Sequence, residues 1–257
     1  MNKRVALVTG AGRGIGRAIA GGLASRGARV AVTARSRDQL QAVVRDIQAA
    51  GGVALAIADD LSDRAAPARI VQQVREQLGP VEILVNNAGV GSSQSPRPIV
   101  EFDDDFWELT MAVNVTAPYL LTKLALPEMI SARWGRIINI ASINAFVAAL
   151  HGAAYTASKH ALAGLTKATA KEVAGTGVTA NAVCPGVTRS LMNDKRIEYD
   201  AARLGKTFAE IESEASPLGR RLEPEEIASL VVYLAGDEAR AINGQSIRVC
   251  GGTVTAG

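Results

Sequence analysis

Tyr155 and Lys159 stand four residues apart in the segment Tyr155-Thr156-Ala157-Ser158-Lys159. If that segment is helical, the two side chains share a face and the ammonium lies near the phenol. A neighbouring positive charge favours the phenolate, drawing the phenol down from its ordinary value of about 10 toward neutrality. Such a group can give a proton to a carbonyl oxygen or take one from an alcohol. A Tyr and a Lys at this spacing are also an ordinary pair on a helix surface, so the chemistry depends on what else the chain supplies.

A second chemical feature lies near the start of the chain. Thr9-Gly10-Ala11-Gly12-Arg13-Gly14-Ile15-Gly16 follows a short apolar run and leads into a helical pattern. Its spacing is not G-x-G-x-x-G but G-x-x-x-G-x-G, counted from Gly10. Glycines here permit a tight turn and the close approach of a pyrophosphate, while the following helix offers free N–H groups and the positive end of its dipole. At the end of the second strand, a dinucleotide with a free ribose 2′-hydroxyl would meet Asp or Glu. Ala34 and Arg35 stand there instead. Arg35 lies 19 residues past Gly16, and with Arg13 it can bracket a 2′-phosphate by forked, charge-assisted contacts, which favours NADP(H) over NAD(H). The alternative is a solvated Arg35 with Asp38 reaching back to the ribose, although the helix dipole already accounts for an acid in a first turn. Asn86-Asn87-Ala88-Gly89 closes another apolar run, and two consecutive amides there either tie strands together or line a ligand.

A regular alternation positions these groups. Strands are predicted over 5–9, 29–33, 53–58, 83–86, 136–141, 178–184 and 246–250. Helices are predicted over 15–25, 39–50 and 65–78, where apolar residues recur every three or four positions, and a long helix starts near Asp103. Ser36 with Gln39 reads as a capping box, and Ser62 stands where an N-cap belongs. Strand, helix and strand repeated with short connections give a parallel sheet covered on both faces. The expected fold is α/β: a single Rossmann-type, doubly wound domain over 1–257 with about seven parallel strands. The rhythm breaks between Pro185 and Pro224, where two charged helical pieces, 193–203 and 207–215, follow one another without a strand. Ligands of open α/β sheets sit beyond the carboxyl ends of the strands, so 187–223 is expected to act as a substrate lid.

Composition narrows the class. With 257 residues, 48% of them hydrophobic, the chain can bury a sizeable core. Phe, Trp and Tyr number only 4, 2 and 4 beside 25 glycines, which suits helices packed tightly on a sheet better than an aromatic-rich β-sandwich. The net charge of +3 comes without any run of five Lys or Arg, so a nucleic-acid or membrane-surface partner gains no support. Cys184 and Cys250 make neither a disulfide framework nor a zinc spacing, and are expected to be thiols in a reducing compartment, with no metal. Only four apolar residues precede Thr9, too few for a signal-peptide core, and no stretch approaches the roughly 18 apolar residues of a membrane span. A cytoplasmic protein is expected.

Taken in order, the glycine loop, the Asn-Asn-Ala-Gly strand end, Asn114, Ser142 and the Tyr155–Lys159 pair resemble the short-chain dehydrogenase/reductase family over essentially the whole chain. Asn114 and Ser142 are 28 residues apart, and Ser142 and Tyr155 are 13 apart, in keeping with that resemblance. It implies an oxidoreductase that interconverts a ketone and a secondary alcohol by hydride transfer with NADP(H). Tyr155 is then the general acid in reduction and the base in oxidation, and Ser142 hydrogen-bonds the substrate oxygen. Lys159 is implied to hold the nicotinamide ribose and to depress the Tyr155 pKa, and Asn114 to anchor a water linking Lys159 to solvent. The same resemblance places Gly10, Arg13, Ile15 and Gly16 at the pyrophosphate, Arg35 at the 2′-phosphate, and Asp60 and Leu61 at the adenine. Asn87, Ala88 and Gly89 lie along the adenosine ribose, and Pro185, Gly186 and Thr188 flank the nicotinamide. Asp60 is alternatively a helix-entry acid beside Ser62. Asn144, Phe146 and His151 either line the substrate pocket or pack the loop, and His160 is read as structural.

Among members of the family, the chain is most similar to 3-oxoacyl reductases, including carrier-protein enzymes and polyketide ketoreductases; the ending Val249-Cys250-Gly251-Gly252 resembles the latter. Carrier-protein members use two arginines to dock the carrier. Here the first is Arg133 but the second position is Thr176, a departure that weakens the carrier-linked reading. Lys195, Arg196, Arg203 and Lys206 would meet a CoA phosphate or are simply solvated. A homotetramer is implied, built on the Asn114 helix, the C-terminal strand and the Tyr–Lys helix, whose Ala161, Ala163, Gly164 and Ala168 permit close packing. The alternatives are an NAD(H)-dependent alcohol, hydroxysteroid or polyol dehydrogenase, and a non-catalytic NADP-sensing module; such sensors usually lose the Tyr or the Lys. A methyl-donor-dependent transferase would want an acid where Ala34 and Arg35 stand.

Overall fold

The strands alternate their side chains between two buried faces, and both faces are apolar. In β1 (Val5–Thr9), Ala6 and Val8 join one core while Val5 and Leu7 join the other. The computed structural model describes Met1 and residues 3–255; Asn2, Ala256 and Gly257, within the expected 1–257 unit, lie outside the described residues. After β1 come α1 (Gly14–Ser25), β2 (Arg29–Ala34), α2 (Arg37–Ala49), β3 (Val53–Ala58), α3 (Ala66–Gln77) and β4 (Ile83–Asn86). Next are α4 (Asp104–Met111), a π-helical turn (Ala112–Thr116) and α5 (Ala117–Ser131), followed by β5 (Gly135–Ile140), α6 (Ala153–Glu172) and β6 (Val178–Pro185). The chain ends with α7 (Leu191–Leu204), α8 (Phe208–Ser213), α9 (Pro224–Leu234) and β7 (Ser246–Val249).

All seven strands are parallel, in the order β3-β2-β1-β4-β5-β6-β7, which is the doubly wound α/β sheet expected from the alternation. Leu7 of β1 pairs with Ala31 on one side and Leu84 on the other. One face is covered by α1, α2 and α9 through Ile19, Leu23, Leu40, Val43, Ile227 and Val231. The opposite face is covered by α3, α5 and α6 through Ile70, Val74, Leu121, Met129, Ala170 and Val173. A parallel sheet needs both coverings, because crossover helices must bury their apolar stripes on it.

Two helix starts differ from expectation. Ser36 caps α2 by accepting the Gln39 N–H at 3.4 Å, but the reciprocal half of the capping box is not formed. The Gln39 side chain instead lies against the glycine loop, where a Cβ on Gly12 would stand 3.0 Å from its Oε1. Ser62 does not cap α3. Asp60 accepts the Ser62 N–H at 3.0 Å and Asp63 accepts the Ala65 N–H at 2.9 Å, so the carboxylates occupy the chain entry that a serine was expected to hold.

The membrane expectation needs correction as well. Residues Asp104–Ser131 run as one 28-residue helix with a mean hydropathy of 1.2 in its most apolar window, long and apolar enough to cross a membrane by length and composition. Here Leu121, Ala125 and Met129 of this helix are buried against the sheet, as befits a core helix.

A buried polar ladder ties the centre of the sheet to α6. Asn86 donates to Asn139 Oδ1 at 2.8 Å, Asn139 donates to Thr166 Oγ1 at 2.8 Å, and Thr166 donates to the Leu162 carbonyl at 2.8 Å. Replacing the middle member leaves both neighbours short of a partner in a site without water access. The Asn139→Ala variant is therefore expected to lose about 2 kcal/mol of stability, read from the midpoint of urea unfolding at unchanged m-value.

Candidate active site

The expected site residues fall on one edge of the sheet, at the carboxyl ends of six strands. The glycine loop follows β1, Arg35 follows β2, Asp60 and Leu61 follow β3, Asn87–Gly89 follow β4, Ser142 follows β5, and Pro185, Gly186 and Thr188 follow or close β6. The strand order reverses between β1 and β4, and ligands of such sheets bind at that reversal.

That reversal is held by hydrogen bonds. The buried Thr9 hydroxyl accepts the N–H groups of Asn87 and Ala88 at 3.0 and 2.9 Å. In return, the Asn87 amide donates to the carbonyls of Thr9 and Gly10 at 2.9 and 3.1 Å. Asn86 and Asn87 thus tie strands together, the first through Asn139 and the second through β1. Thr9 was not singled out in the sequence; a hydroxyl closing an apolar strand was the available signal.

The glycine loop fits a bound pyrophosphate. A Cβ on Gly16 would collide with the Gly10 carbonyl and lie 2.5 Å from Asn87 Nδ2, and Gly14 adopts φ +53°, a left-handed conformation that favours glycine. The first turn of α1 carries neither a capping side-chain bond nor an acidic residue, so its N–H groups and dipole face the loop uncompensated. Ile15 is half-buried against the core. Arg13 and Arg35 are exposed and have no ion pair among the described residues, and so does Arg37 at the start of α2. Asp38 is exposed in the first turn of α2. Asp60 is occupied by the Ser62 N–H, the helix-entry role weighed for it, and Leu61 is buried in the core beneath.

On the other side of the reversal, Tyr155 and Lys159 share a face of α6, with Lys159 Nζ 5.5 Å from the Tyr155 ring centroid. Lys159 is buried and donates to the Ile140 carbonyl at 2.9 Å. Ser142 is also buried; its hydroxyl accepts the Asn144 N–H at 3.1 Å and donates to Asn144 Oδ1 at 3.2 Å. Asn114 sits in the π-helical turn, a distortion frequent at functional sites. Its amide accepts the Val90 N–H at 2.8 Å and donates to the Val90 carbonyl at 3.0 Å and to Ser158 at 2.9 Å. Both donors are thereby spent, and one Oδ1 lone pair remains for a water. A Cβ on Gly89 would stand 3.4 Å from Asn114 Oδ1 and 3.7 Å from Lys159 Nζ, so glycine keeps open the space on which both side chains converge.

The electrostatics differ from the sequence expectation. Burial pushes the Tyr155 phenol up, and the Ser142 hydrogen bond pulls it only partly back. Burial also pulls Lys159 down to about 8. The expected lowering of the phenol by an adjacent ammonium is not what the ligand-free chain shows, because desolvation dominates both groups and the ammonium is turned onto the Ile140 carbonyl. Below both groups lies Cys184, whose thiol burial drives up to about 11.

At the rim, Thr188 is buried and its hydroxyl donates to the Gly186 carbonyl at 3.0 Å, while a Cβ on Gly186 would meet Cys250 at 2.9 Å. Phe146 packs under the Arg248 guanidinium, 4.7 Å from its ring centroid. His160 is exposed, with Nδ1 on the Thr156 carbonyl at 3.0 Å. The charges between β6 and α9 are mostly paired. Arg196 and Arg203 both bond Asp200, and Lys206 bonds Glu214, so of the four cations considered for a CoA phosphate only Lys195 has no ion pair among the described residues. Arg133 is exposed and donates to the Gly175 carbonyl at 3.3 Å. A groove of about 840 Å³ lies elsewhere, between α1, α2 and α9, and is lined by none of Asn114, Ser142, Tyr155 and Lys159.

A family model described as short chain dehydrogenase matches residues 4–200. The chain belongs to this family. It is 40% identical to a protein of Streptomyces violaceoruber named for ketoacyl reduction in the granaticin polyketide synthase, over 97% of this chain and 93% of that one. It is 37% identical to the D-beta-hydroxybutyrate dehydrogenase of Cupriavidus necator, over 99% of each. Among solved structures it superposes on a point variant of the actinorhodin polyketide ketoreductase with NADPH at a TM-score of 0.93 and 36% identity, covering 98% of this chain and 99% of that one. This short-chain dehydrogenase is accordingly an oxidoreductase of a family that binds NAD(P).

The depressed lysine gives a signed pH dependence. Between about 8 and 10.5 the unfolded chain holds a proton on Lys159 that the folded chain has released, so stability rises with pH across that window. Tyr155 and Cys184, both raised, act oppositely at higher pH, so the quantity to read is the difference between the ligand-free wild type and Lys159→Met. That difference is expected to shift in favour of the wild type by about 2–3 kcal/mol on going from pH 7.5 to 10, measured by urea unfolding.

Proposed function

We propose that this dehydrogenase interconverts a 3-oxoacyl-type ketone and its secondary alcohol with NADP(H), using Tyr155 as the general acid and base. The observation that carries the reading is the placement of the buried Ser142 at the carboxyl end of β5 beside α6, where Tyr155 and Lys159 share one face with Lys159 Nζ 5.5 Å from the Tyr155 ring centroid. Relatives named for 3-oxoacyl reduction and for β-hydroxybutyrate oxidation share one chemistry, a carbonyl or alcohol on the carbon β to a carboxyl-derived carbon.

When bound, the nicotinamide supplies the hydride to the carbonyl carbon, or accepts it from the alcohol carbon in reverse. Tyr155 gives its proton to the oxygen as negative charge develops there, and Ser142 donates a hydrogen bond to the same oxygen. The raised phenol pKa keeps Tyr155 protonated near neutrality, the form that ketone reduction needs. Lys159 and Asn114 face the opening that Gly89 leaves, and there Lys159 would hold the nicotinamide ribose. Gly10, Arg13, Ile15 and Gly16 would hold the pyrophosphate, Asp60 and Leu61 the adenine, and Asn87, Ala88 and Gly89 the adenosine ribose. Pro185, Gly186 and Thr188 would flank the nicotinamide.

The preference for NADP(H) rests on the exposed Arg35 and Arg13, which have no ion pair among the described residues, and on the absence of an acid at 34 and 35. We further infer one domain in which residues 187–223 form the lid, and a homotetramer. An open stripe of small residues on α6 supports the assembly: Gly164 and Ala168 are exposed, and a Cβ on Gly164 would meet nothing within 4 Å.

Tyr155→Phe is expected to lower kcat by at least about 10²-fold on any ketone the wild type reduces, with NADPH affinity within a factor of about two. Turnover near the wild-type level would refute the acid–base assignment. For the cofactor, the wild type is expected to prefer NADPH over NADH in kcat/KM by at least about tenfold, and Arg35→Asp to erase that ratio. A wild-type preference for NADH would overturn the reading.

A further inference from the structure

The loop between Ser142 and Tyr155 is fastened to α7 by contacts that nothing in the fold requires. Tyr199 hydroxyl and His151 Nδ1 are 2.5 Å apart, a hydrogen bond in which one of the two donates. Arg196, one turn earlier on the same helix, donates to the Leu150 carbonyl at 3.1 Å and is braced by Asp200. Met192, a further turn back, presses on Gly91, where any Cβ would collide with its sulfur. Residues 192, 196 and 199 lie on one helical stripe, so a single face of α7 bears on both the loop after β4 and the loop after β5. The two loops meet each other as well: a Cβ on Gly152 would stand 3.0 Å from Ser92 Cβ.

His151 is held in a conformation that it would not choose. Its φ of +56° lies in the left-handed region, and it is one of three non-glycine residues with positive φ among the described residues. It immediately precedes Gly152, the N-cap of α6, and lies four residues from Tyr155. A backbone in that region persists when surrounding contacts over-determine it, and such strain concentrates where geometry matters for function. Here the over-determining contacts on the side chain and the preceding carbonyl come from α7.

We propose that Tyr199 is a positioning residue. Through His151 it sets the conformation of residues 143–152, and with it the shape of the space in front of Ser142 and Tyr155. Tyr199 acts on substrate fit rather than on proton transfer. The inference rests on the proposed location of the site at Ser142 and Tyr155, but not on the identity of the substrate. It accounts for why a segment whose ion pairs run within itself places one aromatic hydroxyl on a histidine of the opposite loop.

The test is a double-mutant cycle of Tyr199→Phe and His151→Ala on the full-length protein, read in two ways. The first readout is amide exchange of residues 147–152 in the NADPH complex. Each single variant is expected to accelerate exchange at least about fivefold, and the double variant no further than the faster single, because one contact is lost once. The second readout uses ethyl acetoacetate with NADPH. KM is expected to rise about five- to tenfold in either single variant with kcat within about twofold, again without addition in the double. A thermal midpoint close to wild type for Tyr199→Phe separates positioning from a folding defect, since the ring is retained.

Additive effects, or a KM change with no change in exchange, would overturn the proposal, because Tyr199 would then touch substrate directly or act through some other neighbour. Unchanged exchange in both single variants would overturn it too. If the wild type reduces neither this ester nor any other ketone, the reading under Proposed function fails, while the exchange cycle still decides the role of Tyr199.

Discussion

The tie between β1 and β4 is the constraint from which the rest of the site follows. In a doubly wound sheet the chain leaves the first strand on one side and returns on the other, so at the reversal no crossover helix bridges the two strand ends. This chain closes that gap with polar groups: the Thr9 hydroxyl takes two backbone N–H groups from the end of β4, and the Asn87 amide caps two carbonyls at the end of β1. These are buried or partly buried bonds, where an unmade partner would cost about 1–3 kcal/mol each, and they leave little freedom in the width of the opening. Gly16 then has to be glycine because the Gly10 carbonyl and the Asn87 amide already occupy the space a side chain would take. The glycine loop is therefore shaped by the strand tie, and α1 starts in the direction that tie dictates.

The same rigidity explains the electrostatics of Tyr155 and Lys159. Lys159 is placed by its bond to the Ile140 carbonyl and by the Asn139–Thr166 ladder farther along α6. Holding an ammonium there costs hydration, which is why it falls to about 8 rather than remaining an ordinary surface lysine. A phenol beside it is desolvated as well, and in the ligand-free chain its pKa moves up. Burial thus shifts the two groups in opposite directions, the phenol toward keeping its proton and the ammonium toward losing one. In the proposed reaction those would be the starting states for delivering a proton to a developing alkoxide.

Much of this was legible in the residues. Alternation of short β-branched runs with three-and-four periodic stretches located all seven strands, and the G-x-x-x-G-x-G spacing located the loop, because both follow from local geometry. The spacing of Tyr155 and Lys159 identified a shared helix face for the same reason. What sequence could not supply was long-range and energetic. Gln39 left its capping role to lie on Gly12, Ser62 lost the entry of α3 to Asp60 and Asp63, and the phenol responded to burial rather than to its charged neighbour. Each outcome depends on which distant groups compete for an atom, and no local pattern encodes that competition. The helix over Asp104–Ser131 shows the converse: its composition suits a membrane, and only its packing against β4, β5 and α3 identifies it as core.

The segment between β6 and α9 is divided into pieces by unequal contacts. Its exposed pairs, such as Lys206 with Glu214, are each worth only about 0–1 kcal/mol in water and can break and re-form freely. Arg221 is different. Its side chain is 4% exposed, and it holds Asp194 of α7 and Glu212 of α8 at once, with Phe208 stacked beneath the guanidinium. Removing any one carboxylate would leave a buried cation short of a partner, a penalty several times that of a surface pair. The two helices are therefore coupled more tightly to each other than α7 is to the loops it covers. A displacement of α7 would carry α8 with it, and the contacts to yield first would be those of Met192, Arg196 and Tyr199 with the loops after β4 and β5.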